Sequence, residues 1–321
     1  MEVTSKIYVA GHGGLVGSAI CRALRQEGYD NVVTRMRSEL DLRDQTAVNS
    51  FFSDERPEYV FLAAARVGGI VANASYPADF IMDNLLIEIN VINASFVHGV
   101  KKLLFLGSNC SYPKNCPQPV KEDYLLTGPL EPTNEPFAVA KIAGITACQA
   151  LNKQYRTDFV CVMPSNLYGP NDSFDLQDAH VLPALLRRIH EAKMSNSETV
   201  TVWGTGNVRR AFLHVDDAAT AMMLIMKSRS FFDIVNIGTD TDISIRDLAE
   251  TIKSVVGFAG ELVFDTSKPD GAPQKLLDTN KISQYGWTQK TTLLEGIRDT
   301  YKWYLTETEK NQNAEHSLDA K

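Results

Sequence analysis

The sequence predicts an α/β fold, a doubly wound parallel sheet followed by a smaller C-terminal α/β domain. Three features carry this. In the first half, short runs that are apolar throughout alternate with longer amphipathic stretches, the pattern of parallel strands covered by helices on both faces. A glycine-rich turn follows the first of these runs. Beyond about residue 170 the alternation changes character, which marks a second unit.

Taken in order, Lys6–Ala10 (KIYVA) reads as a strand and Leu15–Glu27 as a helix, with Val16, Ile20, Ala23 and Leu24 at helical spacing. Asn31–Thr34, Tyr59–Ala64, Lys102–Gly107 and Phe159–Met163 read as the next strands, separated by helices at Gln45–Phe52, Ala78–His98 and Ala138–Tyr155. In the second half Leu182–Lys193, Val215–Lys227, Ile245–Val256 and Leu293–Leu305 read as helices. Thr199–Trp203 (TVTVW) alternates like a half-buried strand, and Glu261–Asp265 is a short one. The expected organisation is a first domain over 1–170 and a second over 171–305, with 306–321 a polar, aperiodic, disordered tail.

The net charge of −7 argues against a nucleic-acid partner, but not against a phosphorylated ligand in a local basic pocket. Cys21, Cys110, Cys116, Cys148 and Cys161 are odd in number and form no CxxC pair. Neither a disulfide framework nor a metal site is therefore expected, and a reduced, cytoplasmic setting fits. The start MEVTSKIYVAG enters a strand directly, without the profile of a signal peptide. No run approaches the roughly 18 apolar residues of a membrane span, so no membrane partner is expected.

Gly11, Gly14 and Gly17 form GxxGxxG between the first strand and the first helix, which opens with Leu15 and Val16. The first glycine permits a tight turn, the second lets backbone approach a pyrophosphate, and the third lets the helix pack close. The helix N-terminus then offers unpaired N–H groups to the phosphates. This is the Rossmann arrangement for a dinucleotide. At the end of the second strand, Arg35-Met36-Arg37 stands where an NAD enzyme usually places an acidic residue on the ribose diol. Arg37 suits the 2′-phosphate of NADP(H), the alternative being a pair of solvated surface arginines. Asp41 is placed either to meet the adenine edge or to cap a helix.

Gly107–Pro113 (GSNCSYP) and Asn134–Lys141 (NEPFAVAK) resemble the extended short-chain dehydrogenase/reductase superfamily, whose core is Ser or Thr followed by Tyr-x-x-x-Lys. The segments AGHGGLVGSAI, ELDL, VGGIVAN, YPADFI, KKLLFLGS, EPTNEP, AKIAGI, NLYGP, HVLPALLRR, FLHVDD and KPDG narrow the resemblance. They are similar to the GDP-L-fucose synthase (GDP-4-keto-6-deoxymannose 3,5-epimerase-4-reductase) family, over roughly residues 5–305.

That resemblance implies NADP(H) as cofactor, a GDP-linked 4-keto-6-deoxyhexose as substrate, and a homodimer formed through helices of the cofactor domain. It places Ser108 on the substrate's 4-oxygen and Lys141 on the nicotinamide ribose, where it lowers the pKa of a neighbouring phenol. Cys110 and His180 become the acid/base pair at carbons 3 and 5. Asn166 lines the sugar site and, with Lys141 and His180, the nicotinamide end of the cofactor pocket. Arg188, Trp203, Arg210, Asp270 and Lys275 hold the GDP moiety. Protons beside a ketone are acidic, and inversion needs a base on one face and an acid on the other; a thiol and an imidazole both titrate near enough to neutrality to serve. Outside that context Cys110 reads as a small buried hydrophobe, His180 as a packed or capping residue, Trp203 as core, and the arginines as a solvated face.

The chain departs from the family pattern at Phe137, where the family has the proton-donating tyrosine four residues before Lys141. Gly13 and Gln274 replace arginines, Asn109 a serine and Ala211 a glutamate. Three readings follow from this sequence: the full epimerase-reductase, an epimerase with weak or no reductase activity, and a non-catalytic nucleotide-sugar-binding paralogue.

Overall fold

The computed structural model describes residues 1–176, 178–228, 233–267 and 272–319. In chain order the first half runs β1 (Ile7–Ala10), α1 (Leu15–Gln26), β2 (Val32–Val33), α2 (Gln45–Glu55), β3 (Tyr59–Leu62), α3 (Ile70–Ser75), α4 (Pro77–Val97), β4 (Lys102–Leu106), α5 (Glu135–Tyr155) and β5 (Phe159–Pro164). The second half continues β6 (Asn166–Tyr168), α6 (Val181–Met194), β7 (Thr199–Trp203), β8 (Arg209–Arg210), β9 (Phe212–His214), α7 (Val215–Lys227), β10 (Ile234–Ile237), β11 (Ile243–Ser244), α8 (Ile245–Val256), β12 (Glu261–Asp265), β13 (Gln274–Lys275), α9 (Asn280–Ser283) and α10 (Leu293–Asp319).

Six strands form one parallel sheet in the order β10-β5-β4-β3-β1-β2. Successive side chains point to opposite faces, and both faces are apolar. Ile7, Val9, Phe61, Leu104, Val160 and Val162 meet α1 and α7 on one side. Tyr8, Val60, Leu62, Phe105, Cys161 and Met163 meet α2, α4 and α5 on the other. This is the doubly wound α/β architecture expected from the unbroken apolar runs.

The expected boundary at residue 170 does not divide the molecule. β10 pairs with β5 through Ile234↔Cys161 to Ile237↔Pro164, and α7 packs on α1, so part of the second half belongs to the main sheet. The remainder builds a separate core, in which Leu185, Leu186 and Ile189 of α6 and Leu248 and Ile252 of α8 cover Val200 and Val202 of β7. Small sheets join the two parts: β6 pairs with β9, and β8 lies between β11 and β13. Instead of ending near Leu305 before an unstructured tail, α10 continues as helix to Asp319. The Thr306 and Thr308 hydroxyls donate to the Lys302 and Tyr304 carbonyls in this stretch.

α4 is long and apolar enough to cross a membrane by length and composition, with a mean hydropathy of 1.4 over its best window. It packs along α5 and buries Asn84, Glu88 and Asn90, as a core helix of a globular protein does.

Candidate active site

The glycine turn is built for close approach. Gly11 has φ +85°, and a Cβ there would lie 2.8 Å from the Ala64 backbone. A Cβ on Gly17 would lie 2.0 Å from the Gly11 carbonyl oxygen, so α1 rests directly on the turn. Gly14 N–H donates to Gly11 O at 3.1 Å, and the first turn of α1 from Leu15 and Val16 leaves N–H groups unpaired within the helix. Nothing lies within 4 Å of a Cβ at Gly13. The turn therefore fits a dinucleotide pyrophosphate.

The two arginines after β2 differ. Arg35 is engaged internally, pairing with Glu55 at 2.5 Å and lying over the Phe51 ring. Arg37 is exposed, with no hydrogen bond or ion pair among the described residues. Asp41 caps no helix: Asp44 caps α2, while the Arg43 guanidinium grips Asp41 at 2.7 Å and holds its carboxyl down at about 2.

The chemical end lies where β4 stops. Ser108 caps a single 3-10 turn, Asn109–Ser111, by accepting from the Cys110 N–H at 3.2 Å. The Cys110 thiol donates to Asn109 Oδ1 at 3.7 Å and accepts from Asn134 Nδ2 at 3.2 Å. Beside it, Phe137 packs with Ala72 and Phe80. One turn along α5, the buried Lys141 ammonium donates to the Leu106 carbonyl at 3.0 Å and pairs with Glu88 of α4 at 3.1 Å. Burial pushes the Glu88 carboxyl above its ordinary range, and the Lys141 charge opposes that shift. Tyr112, which neighbours this turn in sequence, is fully buried and donates to Asn236 Oδ1 at 2.6 Å, so its hydroxyl is spent in the core.

His180 is the N-cap residue immediately before α6, and its side chain makes no cap hydrogen bond. The loop leading to it is pinned on Gly69, whose N–H donates to Asp178 O at 2.8 Å. A Cβ on Gly69 would sit 2.8 Å from Ala179 O, so this glycine is what lets the loop close in. Gly69 opens α3, and three residues on, about 4.5 Å of helix rise, Ala72 joins Phe137 and Cys110. The neighbourhoods of His180 and Cys110 are thus joined through one turn of helix. Surrounding protein lowers the proton affinity of the imidazole, and the solvent access the residue keeps limits that lowering.

The residues assigned to the GDP moiety separate into two groups. Arg188 stacks over Trp203 with its guanidinium carbon 4.8 Å from the ring centroid, and Trp203 is 47% exposed, which excludes a core role. Arg210 and Lys275 are paired in register on β8 and β13, and Lys275 Nζ donates to Asn109 O at 3.1 Å. These two cations stand at the thiol end. Asn166 donates to Ala211 O at 3.0 Å. Asp270 lies outside the described residues. Asn134, Glu88 and Gly69 escaped the sequence reading, although Asn134 and Gly69 fall inside the quoted segments EPTNEP and VGGIVAN. A single carboxylate in the otherwise apolar run around Glu88 was a readable signal of a buried partner.

A parallel sheet ending in a glycine cradle, with a serine, a thiol and a buried lysine at the next strand end, defines a nicotinamide-nucleotide enzyme of the short-chain dehydrogenase/reductase type. The family model "NAD dependent epimerase/dehydratase family" matches residues 7–238. GDP-L-fucose synthase 1 of Arabidopsis thaliana is 56% identical over 304 residues, covering 95% of this chain and 94% of the relative. GDP-L-fucose synthase of Escherichia coli is 52% identical over 309 residues, covering 94% and 96%. Among solved structures, a GDP-mannoheptose C4 reductase from Campylobacter jejuni with NADP bound superposes with a TM-score of 0.85 at 43% identity, covering 95% and 99%. The chain belongs to the NAD dependent epimerase/dehydratase family and, within it, to the GDP-L-fucose synthases.

Proposed function

We propose that the protein converts GDP-4-keto-6-deoxy-D-mannose to GDP-L-fucose, by epimerisation at carbons 3 and 5 and NADPH-dependent reduction at carbon 4. The observation that carries this is the Cys110 thiol held beside Ser108, Phe137 and Lys141, in a chain more than half identical to GDP-L-fucose synthases. Bound NADPH supplies the hydride for carbon 4. The glycine turn at Gly11, Gly14 and Gly17 holds its pyrophosphate, and Arg37, free where Arg35 is not, takes the 2′-phosphate. Lys141, Asn166 and His180 border the nicotinamide end.

Cys110 and His180 exchange protons with the carbons flanking the ketone. One removes the acidic C–H proton, leaving its electron pair in an enolate, and the other returns a proton to the opposite face. The lowered proton affinity of His180 favours the neutral imidazole, the form able to accept a proton. Arg188 and Trp203 hold the guanosine diphosphate, aided by Asp270. Arg210 and Lys275 hold its sugar end. Phe137 has no proton to give, so the proton for the 4-oxygen comes from Ser108 or from the Lys141 ammonium beneath it.

The protein acts in the cytoplasm, as a homodimer, with a cofactor unit built on the main sheet and a substrate unit around α6, α8 and α10. Incubating it with substrate in deuterated water tests the reading. Deuterium at carbons 3 and 5, with NADPH oxidised and GDP-L-fucose formed, is the expected result. Deuterium without NADPH oxidation would leave an epimerase alone. Absence of both, with GDP-sugar still bound, would leave a binding protein.

A further inference from the structure

Asn134 occupies the N-cap of α5, a position where an asparagine oxygen ordinarily accepts a backbone N–H of the first turn. Here it makes no such bond. Its Nδ2 instead donates to Cys110 Sγ at 3.2 Å, and its Oδ1 is buried without a hydrogen-bond partner. A helix cap given up and a polar atom left unpaired are both unfavourable to folding, and such unpaired groups in a native protein call for an explanation. A second amide also reaches the sulfur: Asn109 Oδ1 accepts the thiol proton at 3.7 Å. Lys275 fixes the Asn109 carbonyl at 3.1 Å, which anchors the turn carrying the thiol. The sulfur therefore has one donor and one acceptor at fixed positions.

We propose that Asn134 is a positioning residue that orients Cys110 and stabilises its sulfur as thiolate. An N–H aimed at sulfur is worth more when the sulfur is charged than when it is protonated, so it favours loss of the thiol proton. The N-terminal end of α5 points the same way, because the unpaired N–H groups of a helix start favour an adjacent negative charge. Two charged groups also lie in this neighbourhood, the half-buried Arg210 cation and the Glu131 carboxylate, and they act on a sulfur charge in opposite senses. Asn109 Oδ1 accepts the S–H when the thiol is protonated. The pair thus serves both protonation states that Cys110 passes through during epimerisation.

The proposal rests on the acid/base role given to Cys110 above. Its test is the pH dependence of Cys110 alkylation by iodoacetamide, read by mass spectrometry on the peptide carrying Cys110, so that Cys21 and Cys116 do not contribute. In Asn134→Ala the half-maximal pH is expected to rise by about one unit, the size of one hydrogen bond to a charged group. Asn134→Asp, which keeps the shape but replaces the donor with a carboxylate, is expected to raise it further. Both variants are expected to lose at least about tenfold in the rate of deuterium uptake at carbons 3 and 5, with the KM for the GDP-sugar unchanged. An unchanged alkylation profile in folded variants overturns the proposal. Failure of both variants to fold also overturns it, by assigning Asn134 to the scaffold. Cys110→Ser distinguishes the two readings: full deuterium uptake by that variant removes the acid/base role itself, whereas normal alkylation in the Asn134 variants removes only the role of Asn134.

Discussion

Phe137, four residues before Lys141, keeps the shape of the tyrosine ring that the sequence resemblance implies there and lacks its hydroxyl. It is 8% exposed, stands edge-on to Phe80 at 6.4 Å between centroids, and has Lys141 Nζ 5.8 Å from its own centroid. Tyr112, the phenol of the adjoining turn, is committed to Asn236 and does not replace it. Phe137→Tyr is therefore expected to raise the rate of NADPH oxidation by about 10²-fold, the lower end of general acid catalysis, while deuterium exchange at carbons 3 and 5 stays unchanged. Equal reductase rates in the two proteins would show that Ser108 or Lys141 already supplies the proton without loss. Glu88 sets a second expectation. Removing it leaves the Lys141 ammonium buried without a counter-ion, so Glu88→Ala should lower unfolding free energy by about 3 kcal/mol in urea titration. The candidate site residues Ser108, Cys110, Phe137 and Lys141 were legible because they stand in two contiguous segments. Asn134 and Glu88 make their contacts between the start of α5 and the 3-10 turn and between α4 and α5, and although a lone carboxylate marks Glu88 as buried, no spacing in the sequence records the partner of either.

Among the elements, the bounds that agree to the residue are those of two short strands and two amphipathic helices in the second half. Thr199–Trp203, Val215–Lys227, Ile245–Val256 and Glu261–Asp265 form with the expected bounds. β8, β11 and β13 have two residues each, too few to show alternation, and were missed although β8 and β13 carry Arg210 and Lys275. The loop between β6 and α6 holds a feature that composition alone does not mark. Asp172 has one carboxylate oxygen buried without a partner, while the other accepts the Ser173 N–H at 2.8 Å. Desolvation pushes this carboxyl from 3.8 to about 7. A folded-state value raised in this way means that the unfolded chain releases the proton first. The stability contributed by this group is complete at acid pH and is lost as pH rises toward and through about 7. Asp172→Asn, which retains the acceptor for Ser173, should match the wild-type protein near pH 4 and exceed it by up to about 4 kcal/mol at pH 8. Thermal melts of the two proteins across that range check this, and parallel curves would contradict it.

At the scale of the whole molecule, the main sheet needed a strand that the sequence reading did not recognise. Ile234–Ile237 follows α7 and returns to β5, so the main sheet is completed by residues far beyond 170. The order of strands in space is a long-range property, and it decides which helix faces remain uncovered. On α4, Met82, Leu86, Ile89 and Val97 are exposed, and their spacing of four, three and eight puts them on one stripe of the helix. Val139 on the neighbouring α5 is also exposed. The opposite side of α4 already covers the sheet through Val91 and Ile92, so the stripe is surplus to the chain's own core. An apolar stripe of this kind across two adjacent helices suits a second copy related by a two-fold axis, which would bury the same residues from both sides. Leu86→Arg together with Ile89→Asp places opposed charges at the centre of that surface without touching the sheet. Multi-angle light scattering is expected to give twice the chain mass for the wild-type protein and the single chain mass for the variant. NADPH binding should be retained, because the glycine turn and Arg37 lie on the β1–β2 side of the sheet. A variant that stays at twice the chain mass would place the contact elsewhere, and a wild-type protein of single chain mass would leave the stripe without this role.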